Sequence, residues 1–155
     1  METPVSYNVA QSGHPECLKP GNTKLSIETF PTVLQLHLKR FERNAQSVKS
    51  RKVTDHCAFD DTLDFSVIVG VESPKYFLHS VLVHSGTLDS GHFFVYIRPN
   101  IRNDDWFKFD DNRKVVKVTK TAAINDNFGS SGRGTRNTAN IPTAYMLIYI
   151  MDTAI

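Results

Sequence analysis

The sequence has few cysteines, a small net charge and no long apolar run. Its 155 residues include two cysteines, Cys17 and Cys57, and a formal net charge of only +2. Two cysteines form at most one disulfide, so we expect free thiols. No apolar run approaches the roughly 20 residues of a membrane-spanning helix, and residues 1–10 lack a signal-peptide core. These absences favour a cytoplasmic or nuclear protein with neither nucleic acid nor a membrane as its partner.

The residues that are present describe one domain built mainly from strands. The chain is 40% hydrophobic and 22% charged, and it is long enough to bury a core. Val33–Phe41 alternates as a half-buried strand does, while Leu78–His84 and Ala144–Ile150 are apolar on both faces, as interior strands are. Because most connections are too short for crossover helices, we predict an α+β fold with a mainly antiparallel sheet and one or two short helices.

Two stretches lack the periodicity of regular elements. Residues 1–29 are predicted to be irregular apart from a short strand at Leu25–Ile27, so the domain itself would span residues 30–151. Residues 130–140 are rich in Ser, Thr, Gly and Arg and are predicted to form a disordered loop.

Two shorter segments have less certain boundaries. Leu63–Val71 is strongly apolar and is compatible with a short helix or a strand, and the pattern does not choose between them. Thr119 or Thr121 can cap a brief helix that runs to Phe128 and ends at Gly129.

One predicted hairpin carries the chemistry. Its strands, Phe93–Arg98 and Trp106–Asp110, flank a short loop with its midpoint near Ile101. His92 and Asp110 each lie nine positions from that midpoint, so they should lie about opposite each other on one face. A carboxylate on one imidazole nitrogen leaves the other nitrogen free to take a proton from a nucleophile. The same pairing also occurs as an ordinary surface hydrogen bond.

Four ordered motifs resemble those of the ubiquitin-specific protease family. They are FPTVLQLHLKRF from Phe30, VLVHSGTLDSGHFFVYIRP from Val81, WFKFDD from Trp106 and AYMLIYI from Ala144. Within the family, they are most similar to the herpesvirus-associated protease and its plant relatives. The resemblance covers roughly residues 7–150 and implies the C-terminal (palm) half of a papain-like catalytic domain.

The resemblance also implies roles for particular residues. His92 would be the general base and Asp110 the acid of the triad, with Asp111 beside it. Residues around the loop before His92 would bind the substrate: His84, Ser85, Asp89, Gly91 and Phe93. Among these, Asp89 could pair with the arginines of the ubiquitin tail. The implied partners are ubiquitin or ubiquitinated proteins, and no cofactor or metal is implied.

The nucleophile that this chemistry needs has no counterpart in the sequence. In the family, the cysteine lies far upstream in a G-N-T-C-Y motif, whereas Gly21, Asn22 and Thr23 are followed here by Lys24. Cys17 and Cys57 do not have the context of a nucleophile either. We therefore expect a chain that begins partway through a catalytic domain, needs an upstream half that bears the cysteine, and is inactive alone.

Two other functions stay open at this point. A non-catalytic ubiquitin- or partner-binding module would fold and bind ubiquitin without an upstream half. A zinc module would use His14, Cys17, His56 and Cys57, which are residue types that zinc accepts. Adjacent residues of an extended segment point to opposite faces, however, and this disfavours joint ligation by His56 and Cys57.

Overall fold

The computed structural model describes residues 5–8, 24–27, 29–43, 50–66, 73–111, 113–130 and 140–152. Strands dominate these ranges. They are β1 (Val5–Asn8), β2 (Lys24–Ile27), β3 (Val33–His37), β4 (Phe41–Arg43), β5 (Ser50–Lys52), β6 (Thr62–Asp64), β7 (Lys75–Gly86), β8 (Gly91–Ile97), β9 (Trp106–Phe109), β10 (Val116–Val118) and β11 (Thr143–Met151). Helix α1 (Lys120–Ala123) precedes a 3₁₀ turn (Asn125–Asn127).

The main sheet is antiparallel and follows the order β10-β9-β8-β7-β11-β3, with β6 paired to the beginning of β7. Strands β7 to β10 are neighbours both in sequence and in space, which makes them a meander. Two further pairs, β1 with β2 and β4 with β5, form separate antiparallel ribbons. The predicted α+β class is therefore confirmed.

Strand β7 lies in the interior of the sheet, as its two apolar faces predict. It pairs with β8 on one side and with β11 on the other. Its pairing with β11 shifts register between Leu78 and Ser80, so both Leu78 and Val81 lie in the buried core although they are three positions apart. The largest fully buried side chains of the core are Trp106, Tyr76, Tyr149, Leu78 and Leu147. Burial of each such side chain contributes roughly 1.5–3 kcal/mol.

The less regular segments differ from the prediction in part. Residues 1–29 contain the β1–β2 ribbon, which is longer than the single short strand expected there. Its strands are only four residues each, too short for a sustained period to reveal them. Residues 62–64 form a strand. Residues 67–72 lie outside the described residues, as do residues 131–139 of the loop predicted at 130–140.

The short helix begins where its cap predicts. The Thr119 hydroxyl accepts a hydrogen bond from the Ala122 N–H at 3.1 Å, and Gly129 has a φ of 96°, which suits the end of a helical segment. The α-helical part ends at Ala123 and continues as the 3₁₀ turn, rather than running unbroken to Phe128. Within the described ranges, no helix is long and apolar enough to cross a membrane.

Candidate functional site

A tight turn between β7 and β8 sets the position of His92. Gly86 pairs with Gly91, and the turn closes through bonds from the Thr87 N–H to the Ser90 carbonyl and from the Ser90 N–H to the Thr87 hydroxyl, at 3.1 and 3.0 Å. Gly86 has a φ of 94°, a conformation that other residues rarely adopt. Strand β8 then starts at once, and His92 is its second residue.

The register of β8 against β9 corrects the predicted pairing. Val95 pairs with Phe109 and Tyr96 with Lys108, so the hairpin is centred near Arg102 rather than Ile101. His92 and Asp110 are therefore diagonal neighbours, not directly opposed residues. They still share a face, because the displacement is two positions and side chains alternate with a period of two. Two Asn side chains bond backbone N–H groups inside the loop and add a local turn that the count of positions ignored.

The two predicted partners meet in a short hydrogen bond. His92 Nε2 lies 2.6 Å from Asp110 Oδ1, and the side chains are 47% and 10% exposed respectively. Asp111, with a φ of 41°, begins the turn after β9 and places its Oδ2 3.6 Å from His92 Nδ1. When Nε2–H donates to the Asp110 carboxylate, Nδ1 keeps its lone pair and lies on the side of the exposed Asp111. This is the arrangement of a base with a group that orients it.

Lys108 is part of the same cluster, and the sequence reasoning missed it. Its Nζ lies 2.8 Å from Asp110 Oδ2 and 3.9 Å from the centroid of the Phe94 ring. Hydrogen bonds from Lys108 and from His92 lower the pKa of Asp110 to about 2, so its carboxyl group is ionised at neutral pH. The alternation in WFKFDD places Lys108 and Asp110 two positions apart on one face, which is the signal that could have identified it.

His84 lies beneath the start of β8. Its side chain is 2% exposed and packs against the rings of Phe41 and Phe93, with centroids 5.1 and 4.8 Å away. A Cβ on Gly91 would lie 2.0 Å from His84 Nε2, so the imidazole occupies the space that glycine leaves. Burial, with a smaller contribution from the Lys52 ammonium, lowers the pKa of His84.

Lys52 ties the turn to the rest of the fold. Its Nζ donates to the carbonyl oxygens of His84, Gly86 and Ile141 at 3.0, 3.1 and 2.8 Å. These bonds link β5 to the end of β7 and to the segment before β11. The loop that precedes His92 therefore has a fixed base.

The other predicted substrate-binding residues are spread around this turn. Ser85 donates to the Asn140 carbonyl at 3.4 Å, Asp89 is exposed at the tip, and Phe93 is 43% exposed. Their contact with substrate stays a prediction. A shallow cleft beside Asp110 and Asp111 is lined mainly by apolar residues: Leu82, Phe93, Phe94, Val95, Phe109 and Val115, with Arg113 at its side.

Metal binding fits this cluster poorly. His92, Asp110 and Asp111 do offer ligand atoms within 4.8 Å of one another. The Lys108 ammonium already bonds one Asp110 oxygen and would repel a cation there. Of the four residues considered for zinc, His14 and Cys17 lie outside the described residues, and His56 packs against the Phe128 ring at 5.4 Å. The cluster is better suited to proton transfer.

Comparison with known proteins shows which family has a sequence similar to this one. The family model for ubiquitin carboxyl-terminal hydrolases matches residues 7–149. Ubiquitin carboxyl-terminal hydrolase 15 of Saccharomyces cerevisiae is 37% identical and ubiquitin C-terminal hydrolase 13 of Arabidopsis thaliana is 38% identical, each over 80% of this chain. Ubiquitin carboxyl-terminal hydrolase 7 of Drosophila melanogaster is 35% identical over 88% of it. The chain spans only 12–13% of the length of these three relatives.

Solved structures give the same placement. A chain in the structure of the Ubp8-Sgf11-Sgf73-Sus1 SAGA DUB module superposes with a TM-score of 0.58 at 27% identity, covering 78% of this chain and 24% of that one. A second structure of the module gives a TM-score of 0.59 over 83% of this chain. The family model covers well over half of the sequence, and the fold and motifs agree with it. This chain belongs to the ubiquitin carboxyl-terminal hydrolase family.

Proposed function

We propose that this chain is the C-terminal part of a ubiquitin-specific protease domain, and that it supplies the base and acid for thiol-dependent deubiquitination in the cytoplasm or nucleus. The observation that carries the proposal is the 2.6 Å contact between His92 Nε2 and Asp110 Oδ1. It leaves Nδ1 of a half-exposed imidazole available to a nucleophile. Ubiquitin or ubiquitinated proteins would be the partners.

The proposed reaction starts at a cysteine from an upstream half-domain. His92 Nδ1 takes the thiol proton, and the thiolate attacks the carbonyl carbon of the isopeptide bond after the terminal glycine of ubiquitin. His92 returns the proton to the leaving amine as the C–N bond breaks and a thioester forms. Water, deprotonated by His92, then hydrolyses the thioester and restores the thiol. Asp110 keeps its charge throughout and holds the imidazole in the required tautomer.

The loop residues would guide the ubiquitin tail to this site. Asp89 at the exposed tip can pair with an arginine of the tail, while Phe93 presents a partly exposed ring one position after His92. Ser85 and Gly91 lie in the two strands that flank the turn, and the His84 imidazole packs against Gly91. An oxyanion donor would come from the same upstream half as the cysteine.

We further propose that the chain cannot cleave alone. The Cys57 N–H donates to the Phe128 carbonyl after the short helix, whereas the His92 imidazole contacts Asp110, Asp111 and Phe94. Neither Cys57 nor Cys17 stands in the family's nucleophile motif. The purified 155-residue chain should therefore not release the fluorophore from a ubiquitin C-terminal amide.

A chimera tests the proposal directly. In ubiquitin carboxyl-terminal hydrolase 15 of Saccharomyces cerevisiae, the segment that matches this chain would be replaced by this chain. The upstream half of the yeast protein would be kept. We expect the chimera to hydrolyse the fluorogenic ubiquitin amide and the isolated chain not to do so. Turnover by the isolated chain that disappears in Cys17→Ala or Cys57→Ala would contradict the need for an upstream half. A folded chimera that binds ubiquitin without turnover would favour a binding module instead.

A further inference from the structure

The Asp110 carboxylate has a separate partner on each oxygen. His92 Nε2 lies 2.6 Å from Oδ1, and Lys108 Nζ lies 2.8 Å from Oδ2. The terminal torsion of an aspartate is broad, so a carboxylate with one partner can rotate away from its imidazole. With both oxygens bonded, rotation breaks one charge-assisted hydrogen bond. Lys108 thus restricts the orientation of the group that orients His92.

Lys108 is itself held in place by an aromatic platform. Its Nζ lies 3.9 Å from the centroid of the Phe94 ring, within the range of a cation–π contact. Phe94 packs edge-on against Tyr96, with centroids 5.5 Å apart, and Tyr96 is the residue paired with Lys108 across the ladder. The lysine side chain is only 29% exposed. Two contacts therefore hold its ammonium, one with Asp110 and one with the Phe94 ring.

Among the charged groups around Asp110, Lys108 has the largest effect on the Asp110 carboxylate. His92 and Tyr96 face Asp110 from β8, Lys108 faces it from β9, and Asp111 and Arg113 follow in the turn. Lys108 is the first cause and His92 the second of the low pKa of Asp110. The carboxylate is therefore ionised at neutral pH.

A second lysine–aspartate pair shows what an ordinary surface contact looks like in this fold. Lys117 on β10 lies 2.6 Å from Asp105, and their side chains are 64% and 46% exposed. Such pairs contribute little, because water screens them. The Lys108–Asp110 pair is less exposed and shares its carboxylate with His92.

We propose that Lys108 is a positioning residue for the reaction: its ammonium holds Asp110 Oδ2 so that Oδ1 stays directed at His92 Nε2. This inference deepens the proposed function and rests on it for its catalytic meaning. The geometric part concerns the chain alone and is measurable without turnover. Sequence alternation gives the two side chains a common face, and the Phe94 ring selects where on that face the ammonium lies.

The test is an NMR titration of the 155-residue chain with ¹³C-labelled aspartate and ¹⁵N-labelled histidine. In Lys108→Met, the titration midpoint of Asp110 should rise from about 2 towards the usual Asp value of about 3.9. Lys108→Arg, which keeps the charge, should leave the midpoint low. Lys117→Met is the matched control and should not move it. The neutral His92 ring should carry its proton on Nε2 in the wild type and populate both tautomers in Lys108→Met.

An unchanged Asp110 midpoint in folded Lys108→Met would overturn the proposal. If that variant gives no folded spectrum, Lys108→Gln is compared with Lys108→Arg. A raised midpoint in the Gln variant alone supports the proposal, and equal midpoints overturn it. In the chimera, Lys108→Met should lower kcat with little change in KM, and Lys108→Arg should restore kcat. An inactive chimera would contradict the proposed function, whereas the NMR result would still decide the role of Lys108.

Discussion

The two ends of the β8–β9 hairpin use similar residues for opposite purposes. At the closed end, the Arg98 side chain is 3% exposed, while at the open end the His92 side chain is 47% exposed. Both ends join a basic side chain to an aspartate, since Arg98 contacts Asp104 at 3.4 Å and His92 contacts Asp110 at 2.6 Å. They differ because the Arg98 guanidinium is buried and always protonated, whereas the His92 imidazole is half-exposed and can exchange a proton.

Arg98 binds β7 at the point where that strand is irregular. Its Nε and one terminal nitrogen both donate to the Leu78 carbonyl, at 3.0 and 2.6 Å, where the register shifts against β11. The guanidinium also lies over the Trp106 ring, 5.2 Å from its centroid. A buried carbonyl without a partner costs roughly 1–3 kcal/mol, so this end of the hairpin is built for stability. The two pairs therefore differ in burial and in residue type, since a guanidinium stays protonated whereas an imidazole can exchange a proton near neutral pH.

The largest expected effect is the loss of activity when residues at the open end of the hairpin are substituted. In the chimera, His92→Ala should lower kcat/KM by roughly 10²–10⁴-fold, because the general base is lost. Asp110→Ala should cause a smaller loss, since the imidazole remains but is no longer oriented. The thermal midpoint should stay within a few degrees for both, as measured by circular dichroism. Retention of full activity in His92→Ala would remove the triad assignment.

Substitution at the closed end of the hairpin should instead lower the stability of the fold. Arg98→Met removes both bonds to the Leu78 carbonyl and should lower the free energy of unfolding by roughly 1.5–3 kcal/mol. Urea unfolding followed by tryptophan fluorescence measures the loss, because Trp106 lies under the guanidinium. Arg102→Met is the matched control, since Arg102 is 52% exposed in its ion pair with Asp152. Equal losses in the two variants would contradict the contrast between the ends.

Gly91→Ala sharpens the comparison at the residue next to the base. The added Cβ would lie 2.0 Å from His84 Nε2 and 2.7 Å from the Thr87 carbonyl, so the turn must shift. We expect a loss of about 1–2 kcal/mol in the free energy of unfolding, together with lower activity of the chimera. His84→Ala in the same chain should recover part of the loss, because one of the two clashes disappears. Urea unfolding of the double-mutant cycle measures the coupling.

A further expected effect concerns the lysine that fixes the base of the turn. Burial, with a contribution from Arg40, lowers the pKa of Lys52 from 10.5 to about 8. Between those values the unfolded chain binds more protons than the folded one, so the stability of the wild type should rise as the pH increases from about 8 to about 10.5. Relative to Lys52→Met, which does not titrate there, urea unfolding at pH 7 and pH 10 should show this gain. A constant difference across the window would mean that Lys52 titrates normally.

Much of the fold follows from local sequence patterns. The alternation of Leu34 and Leu36 and the apolar faces of β7 and β11 predicted strands that the structure contains. The cap at Thr119 predicted the start of the short helix. These features depend on neighbours within a few residues, which is why a single sequence reveals them.

The finer geometry of the site depended on contacts that local patterns do not determine. The face shared by His92 and Asp110 was predicted, but their register was displaced by two positions because the loop contains its own turns. The alternation in WFKFDD places Lys108 on the face of Asp110, but its bond to Asp110 Oδ2 and its contact with the Phe94 ring depend on tertiary structure. The burial of His84 and the bulge at Leu78 likewise depend on pairing with β11, which is distant in sequence.

The strand order also has a consequence for how the chain folds. Strands β7 to β10 pair with their sequence neighbours, so this meander can form through short loop closures. Strand β11 is different, because it joins Val33 of β3 and Phe77 of β7 through the same residue, Ile150. Contacts between such distant segments form slowly. The meander that carries His92 and Asp110 can therefore assemble early, while β3 joins the sheet only after β11 has been synthesised and docked.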